Sequence, residues 1–232
     1  MATSSVLLEH VRRADPDRFF CSLFAHKDKR ETLWLLYAFN HELARAREVA
    51  SEPVLALMRL TWWREVVDGF EKKHEIATPL GVALAAGVFE RGDLTRLIDA
   101  RETEAEPEMP DFDAFMKYVR GTAGLLARIS GKVLGEDSDA AEALGTAYGI
   151  SGILRAAPFL AASGRSLLPA DGTGKAELIG VARALLRQSV PRKIIPAVLP
   201  AVFARRDLGK PYAPRGGSDR LAVLKAAVTG RV

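Results

Sequence analysis

LWLLYAFNHELARARE, Leu33 to Glu48, decides the fold. Within it Leu33, Leu36, Tyr37, Asn40, Leu43 and Ala44 follow the i, i+3, i+4, i+7 spacing of one helix face. Only Asn40 in that set is polar, which singles it out on an otherwise apolar stripe.

The same period runs outward in both directions. It predicts helices near 4–13, 17–25, 28–50, 53–71, 77–90, 93–105, 111–134, 138–161, 174–189, 192–204 and 218–229. Few stretches alternate as strands do, so the expected class is all-α. Asp111 and Ser138 precede apolar-periodic runs and read as N-caps. Pro53 suits the first turn of a helix begun after Ser51, and Gly135 reads as a stop. Glu102–Asp111, acidic and carrying Pro107 and Pro110, reads mostly as loop. So do Gly164–Gly174 and Gly209–Ser218, the latter ahead of a last short basic helix.

A chain of 232 residues can bury one sizeable core, and a single domain over 1–232 is the simplest expectation. Hydrophobic residues are 48% and charged residues 27%, which excludes both disorder and an embedded membrane protein. The longest apolar stretch, Ile194–Ala204, is interrupted by Pro196 and Pro200. It falls short of the roughly 20 residues that span a bilayer. Glu9 stands where a secretory signal would build its apolar core, so the start MATSSVLLEHVRR is assigned to the fold.

Cys21 is the single cysteine, which excludes an intrachain disulfide and a thiolate metal cluster and suggests a buried thiol. His10, His26, His41 and His74 show no metal-ligand spacing. The net charge of +4 is unevenly spread. Residues 178–232 carry eleven Lys or Arg against Asp207 and Asp219, giving +9 and leaving −5 for residues 1–177. Such an end suits an anionic membrane surface or an acidic protein, or is simply a solvated face. Nucleic acid is the weakest partner, because no binding motif accompanies the charge.

Two segments carry a family resemblance. YAFNHELARARE, Tyr37–Glu48, resembles the first signature of squalene and phytoene synthases, in which Tyr-Ala-Phe-Cys-Arg leads into Asp-Asp-x-x-Asp. GTAYGISGILRAAPFLAASGRSLLP, Gly145–Pro169, resembles their second signature, which runs through Asn-Ile-Leu-Arg-Asp to Gly-Arg-x-Tyr-Leu-Pro. Between them Leu57–Phe70 is similar to the family's Trp-Trp-Arg-Glu helix, and Met116–Gly135 to a helix with an Ala-Gly step. The resemblance implies an isoprenoid-synthase-type helical bundle around a central cavity. Within the family, FNHELARAREVASEPVLALMRLTWWREVV, Leu154–Pro158 and Lys193–Lys210 resemble the branch of mitochondrial complex I assembly factors. The Ala- and Arg-rich composition suggests a bacterial relative.

What the family's chemistry needs is missing. It joins two prenyl diphosphates, and magnesium held by aspartates on facing helices draws off the diphosphate. The first motif's aspartates fall on Ala44, Arg45 and Glu48, and the second motif's on Ala156 and Leu160. Five acids have become one, and Arg47 turns the first window to +1. No catalytic residue and no magnesium are therefore expected. Glu31, Glu42, Glu65, Asp68 and Glu142 are read as helix charges or ion pairs rather than replacements.

Tyr37, Asn40, Arg59, Arg64, Arg155 and Arg165 are the candidates for a remnant pocket; the alternative is that the arginines tie helices together. Trp34, Trp62, Trp63, Phe19, Phe20 and Phe39 are expected in the core, with one or two lining the pocket. The leading expectation is a non-catalytic protein acting in respiratory complex I assembly, with complex I subunits or assembly intermediates as partners. A prenyltransferase with an altered metal site and an isoprenoid- or lipid-binding module are the alternatives. The expected location is cytoplasmic, peripheral on the inner face of a bacterial membrane, or the mitochondrial matrix in a eukaryote.

Overall fold

The structure, a computed structural model, describes residues 2–50 and 52–232. These fall into two compact units, Met1–Glu106 and Pro107–Val232. Among the described residues helices form every regular element, and strand pairing is limited to one bridge between Met109 and Pro169.

The first unit contains α1 (Ala2–Ala14), α2 (Pro16–Ser22), α3 (Lys27–Glu48), α4 (Pro53–Asp68), α5 (Ala77–Ala85) and α6 (Arg91–Glu102). A 3₁₀ turn, Thr103–Ala105, follows α6. Asp15 caps α2 by accepting the Arg18 N–H at 3.0 Å, with Pro16 preset for the first turn. α4 opens on Pro53 as expected, but its N-cap is Glu52; Ser51 lies outside the described residues. α4 closes at Gly69, whose φ of +106° suits glycine. The stripe on α3 is the centre of this core. Leu33, Leu36, Phe39 and Leu43 are buried, and α3 packs on α1 and α4, whose Leu7, Val11, Leu60, Trp63 and Val67 are buried too. Each such side chain contributes about 1.5–3 kcal/mol on burial.

The second unit contains α7 (Phe112–Val119), α8 (Leu125–Val133), α9 (Asp139–Ala162), α10 (Lys175–Leu185), α11 (Ile195–Val198), α12 (Pro200–Asp207) and α13 (Gly217–Thr229). The side chain of Asp111 accepts the Ala114 N–H at 2.8 Å, and that of Ser138 the Ala141 N–H at 3.3 Å, so both expected caps are present. Gly135 stops α8 with φ +101°. α9 is the hub, packing on α8, α10 and α12.

Two expected helices are interrupted. The helix read over 111–134 contains a π-turn, Arg120–Gly124, between α7 and α8. Thr122 Oγ1 there donates to the Tyr118 carbonyl at 2.8 Å. Two glycines of α9 lie hard against this segment and the start of α8: a Cβ on Gly145 would stand 2.4 Å from Ala127 Cβ, and one on Gly149 2.6 Å from Ala123 Cβ. The helix read over 192–204 divides into a 3₁₀ turn (Arg192–Ile194), α11 and α12, because Pro196 and Pro200 each sit in the first turn of a new helix. The helices read over 17–25 and 77–90 stop early, at Ser22 and Ala85. No helix among the described residues is long and apolar enough to cross a membrane.

Candidate functional site

On α3 the buried carboxylate beside the first-motif positions is Glu42, which is not itself one of them. Its side chain is 6% exposed. A charge buried that deeply needs a partner. Arg45 Nη1 donates to Oε1 at 3.0 Å, and Arg59 Nη2 lies 3.9 Å from Oε2. Ala44 is half-buried and Glu48 is exposed. Arg45, at an aspartate position, is therefore the counterion of a neighbouring acid.

Tyr37 and Asn40 are both buried on this helix. Asn40 Oδ1 accepts from Arg101 Nη2 at 3.3 Å, and Arg101 Nη1 also donates to Glu104 at 2.6 Å. The one polar residue in the apolar stripe thus ties α3 to α6. Arg64 on α4 donates to Asp99 and Glu102, each at 2.7 Å, and also holds α6. Arg59 is exposed. It borders an apolar cavity of about 450 Å³ lined by Met58, Trp62, Trp63 and His74, with Glu42 at its edge. Of the aromatic candidates, Trp34, Trp63 and Phe39 are buried, and Trp62 and Trp63 line this cavity. Cys21 is fully buried.

On α9 the second-motif positions, Ala156 and Leu160, are half-buried and apolar. Arg155 Nη1 meets Asp207 at 2.8 Å, its guanidinium lies 5.0 Å from the centre of the Tyr212 ring, and Nη2 donates to the Ala213 carbonyl at 3.2 Å. Asp207 also accepts from Arg215 at 2.8 Å. Arg155 therefore fastens the segment after α12 onto α9. The retained Gly-Arg pair ends the helix: Gly164 takes φ +70°, and the Arg165 N–H returns to the Leu160 carbonyl at 2.9 Å. After Pro169, the Ala170 N–H donates to the Met109 carbonyl at 2.9 Å.

Magnesium takes hard oxygen ligands, usually from carboxylates. Four of the five family positions supply none, and Glu48 is the remaining acid. Arg45 adds a positive charge in the same window. The residues present do not fit the family's magnesium cluster.

One grouping has no counterpart in the sequence reading. His10 and His41, 31 positions apart, meet where α1 packs on α3. Nε2 of His10 lies 3.0 Å from Nδ1 of His41, and Oε1 of Glu42 lies 3.9 Å from the first and 4.0 Å from the second. Burial, and then the neighbouring His10, hold the pKa of His41 below the ordinary imidazole value. His41 stands at the arginine position of the first signature. No spacing rule joins residues on separate helices, so periodicity could not reveal the pair.

Comparison with known proteins places these features. The squalene/phytoene synthase family model matches residues 11–206. The chain is 30% identical over 179 residues to NADH dehydrogenase (ubiquinone) complex I, assembly factor 6, of Bos taurus, covering 73% of this chain and 54% of that protein. The Homo sapiens protein of the same description is 28% identical over the same shares. The chain thus spans about half the length of these relatives. Among solved structures, a dehydrosqualene synthase in complex with ligand aligns with TM-score 0.75 at 12% identity, covering 98% of this chain and 96% of the other. Squalene synthase HpnC from Alicyclobacillus acidocaldarius aligns with TM-score 0.68 at 18% identity, covering 99% and 94%. At such low identity these two likenesses establish the fold alone, an all-α isoprenoid synthase fold.

Proposed function

The chain belongs to the squalene/phytoene synthase family, and from that premise we propose that it is a non-catalytic member acting in the assembly of respiratory complex I. The observation that carries the first half is the replacement of the metal-holding acids. Ala44, Arg45, Ala156 and Leu160 stand at four of the five positions, and Arg45 is engaged as the partner of buried Glu42. Without a dication beside the diphosphate, the charge developing on the leaving group has no preorganised counter-charge. The second half is supported by the relatives described as complex I assembly factor 6. The partners in this reading are complex I subunits or assembly intermediates.

The basic C-terminal part is the contact surface in this proposal, toward a membrane's inner face or an acidic subunit. Leu221, Leu224 and Val228 of α13 are exposed beside Arg220 and Lys225. Apolar and cationic side chains on one short helix suit an anionic surface. Deleting the gene and separating membrane complexes on native gels tests the role. A fall in assembled NADH:ubiquinone oxidoreductase, restored by the intact gene, is expected. Normal levels of the complex in the deletion strain exclude it.

A second reading, an isoprenoid- or lipid-binding module, is favoured by the apolar cavity at Met58, Trp62 and Trp63 with Arg59 at its rim. Native mass spectrometry of the purified protein separates the two: a copurified lipid supports this reading. Incubation with farnesyl diphosphate and magnesium is the matching test of catalysis, and any head-to-head product contradicts the non-catalytic proposal.

A further inference from the structure

We propose that His10, His41 and Glu42 form a site for one divalent transition-metal ion of the zinc type, which staples α1 to α3. The inference stands apart from the assembly role and from the family's magnesium positions.

The argument begins with three distances. Nε2 of His10 and Nδ1 of His41 are 3.0 Å apart, and Oε1 of Glu42 is 3.9 and 4.0 Å from them. A triangle with those sides has its centre about 2.1 Å from each corner, which matches zinc's bonds to imidazole nitrogen and carboxylate oxygen. The three donors therefore already surround a point at bonding distance from each.

The donor chemistry selects the ion. Two imidazoles and a carboxylate suit zinc, copper, nickel or ferrous iron, whereas magnesium and calcium prefer oxygen alone. Two ring nitrogens 3.0 Å apart need either a shared hydrogen or a metal ion to join them. In the metal-free chain it is a hydrogen, with one imidazole donating its N–H to the other. On binding, the metal sits to the side of the N–N line, at the point about 2.1 Å from each donor, and the displaced proton goes to the donor ring's far nitrogen or to water.

Open coordination positions have somewhere to face. His10 and His41 line a surface cavity with Ser5, Glu9, Arg13 and Glu75. Water or a small ligand entering there would complete a four-coordinate shell. Glu42 Oε1 also accepts from Arg45. A carboxylate oxygen has lone pairs for both partners. The nearby guanidiniums of Arg45 and Arg59 oppose a dication, so binding is weaker than in an all-acidic cage.

The test uses the full chain, free of any affinity tag and stripped with chelator, titrated calorimetrically with zinc sulfate. One zinc per chain is expected, with no binding of magnesium at equal concentration. Losing an outer-shell partner alone costs a metal site about 10–100-fold in affinity. His10→Gln and His41→Gln, which remove ligands, should each cost at least about 100-fold, and exposed His26→Gln nothing. Cobalt added to the unaltered protein should give the intense visible bands of a four- or five-coordinate site. That measurement keeps the proposal open to refutation even where a variant misfolds. Absence of those bands, absence of stoichiometric zinc binding, or affinity unchanged in both ligand variants overturns it.

Discussion

Gly145→Ala should destabilise the second unit, while Gly152→Ala, seven residues along the same helix, should stabilise it. In an unobstructed helix the change from glycine to alanine gains about 1 kcal/mol. A Cβ at position 152 meets nothing within 4 Å, so that gain should appear nearly whole. At position 145 the new carbon would lie 2.4 Å from Ala127 Cβ, 2.6 Å from the Ala123 carbonyl oxygen and 3.2 Å from Gly124 Cα. Comfortable carbon contacts lie near 3.5–4.0 Å, so α8 and the π-turn must retreat by about 1 Å. None of these atoms belongs to a flexible side chain that could swing aside. Overpacking of this kind costs about 1–3 kcal/mol, and rigid neighbours place it at the upper end. The net expectation is a loss of about 2 kcal/mol at Gly145 against a gain of about 0.5–1 kcal/mol at Gly152. Urea titration followed by circular dichroism reads both. Tryptophan fluorescence is the wrong probe, since Trp34, Trp62 and Trp63 all belong to the first unit. If Gly145→Ala proved as stable as Gly152→Ala, the close approach of α9 to the π-turn would be refuted.

Asp207→Asn should cost about 2–3 kcal/mol in the same assay, because two largely buried guanidiniums lose their shared charge partner. Asp111→Ala should cost about 1 kcal/mol through loss of the α7 cap. The Asp219 pKa lies below the ordinary aspartate value, held there first by the Gly216 N–H and then by Arg206. A depressed carboxylate gives stability that is whole above the unfolded value and lost as pH falls through the folded one. The urea midpoint should therefore decline below about pH 4, less steeply in Asp219→Asn, and equal slopes would contradict the assignment.

Much of this fold is legible because each helix announces itself locally. The α3 stripe, the Asp111 and Ser138 caps and the Gly135 stop all act within a few residues. The division at Pro200 follows from proline's missing N–H and could have been read by the same logic. The π-turn could not: Arg120–Gly124 carries two glycines, which weaken a helix but do not say which carbonyl each N–H will meet. Glu42 and Arg45 are readable as a pair three residues apart, but their burial depends on what α3 packs against. Arg155 finds Asp207 52 positions later and His10 finds His41 31 positions later. Such meetings depend on the rotation and offset of packed helices, to which periodicity within one helix is blind.

The fastening of Arg155 bears on the proposed loss of the family's chemistry. Restoring aspartate at Ala156 or Leu160 would replace an acid without releasing the arginine. Arg155 is held by Asp207 and lies against the Tyr212 ring, and Asp207 is shared with Arg215. Freeing Arg155 for an incoming anion means dismantling contacts that now hold the segment after α12. On the proposed non-catalytic reading this works as a ratchet: restoring the acids alone leaves Arg155 committed to the C-terminal segment.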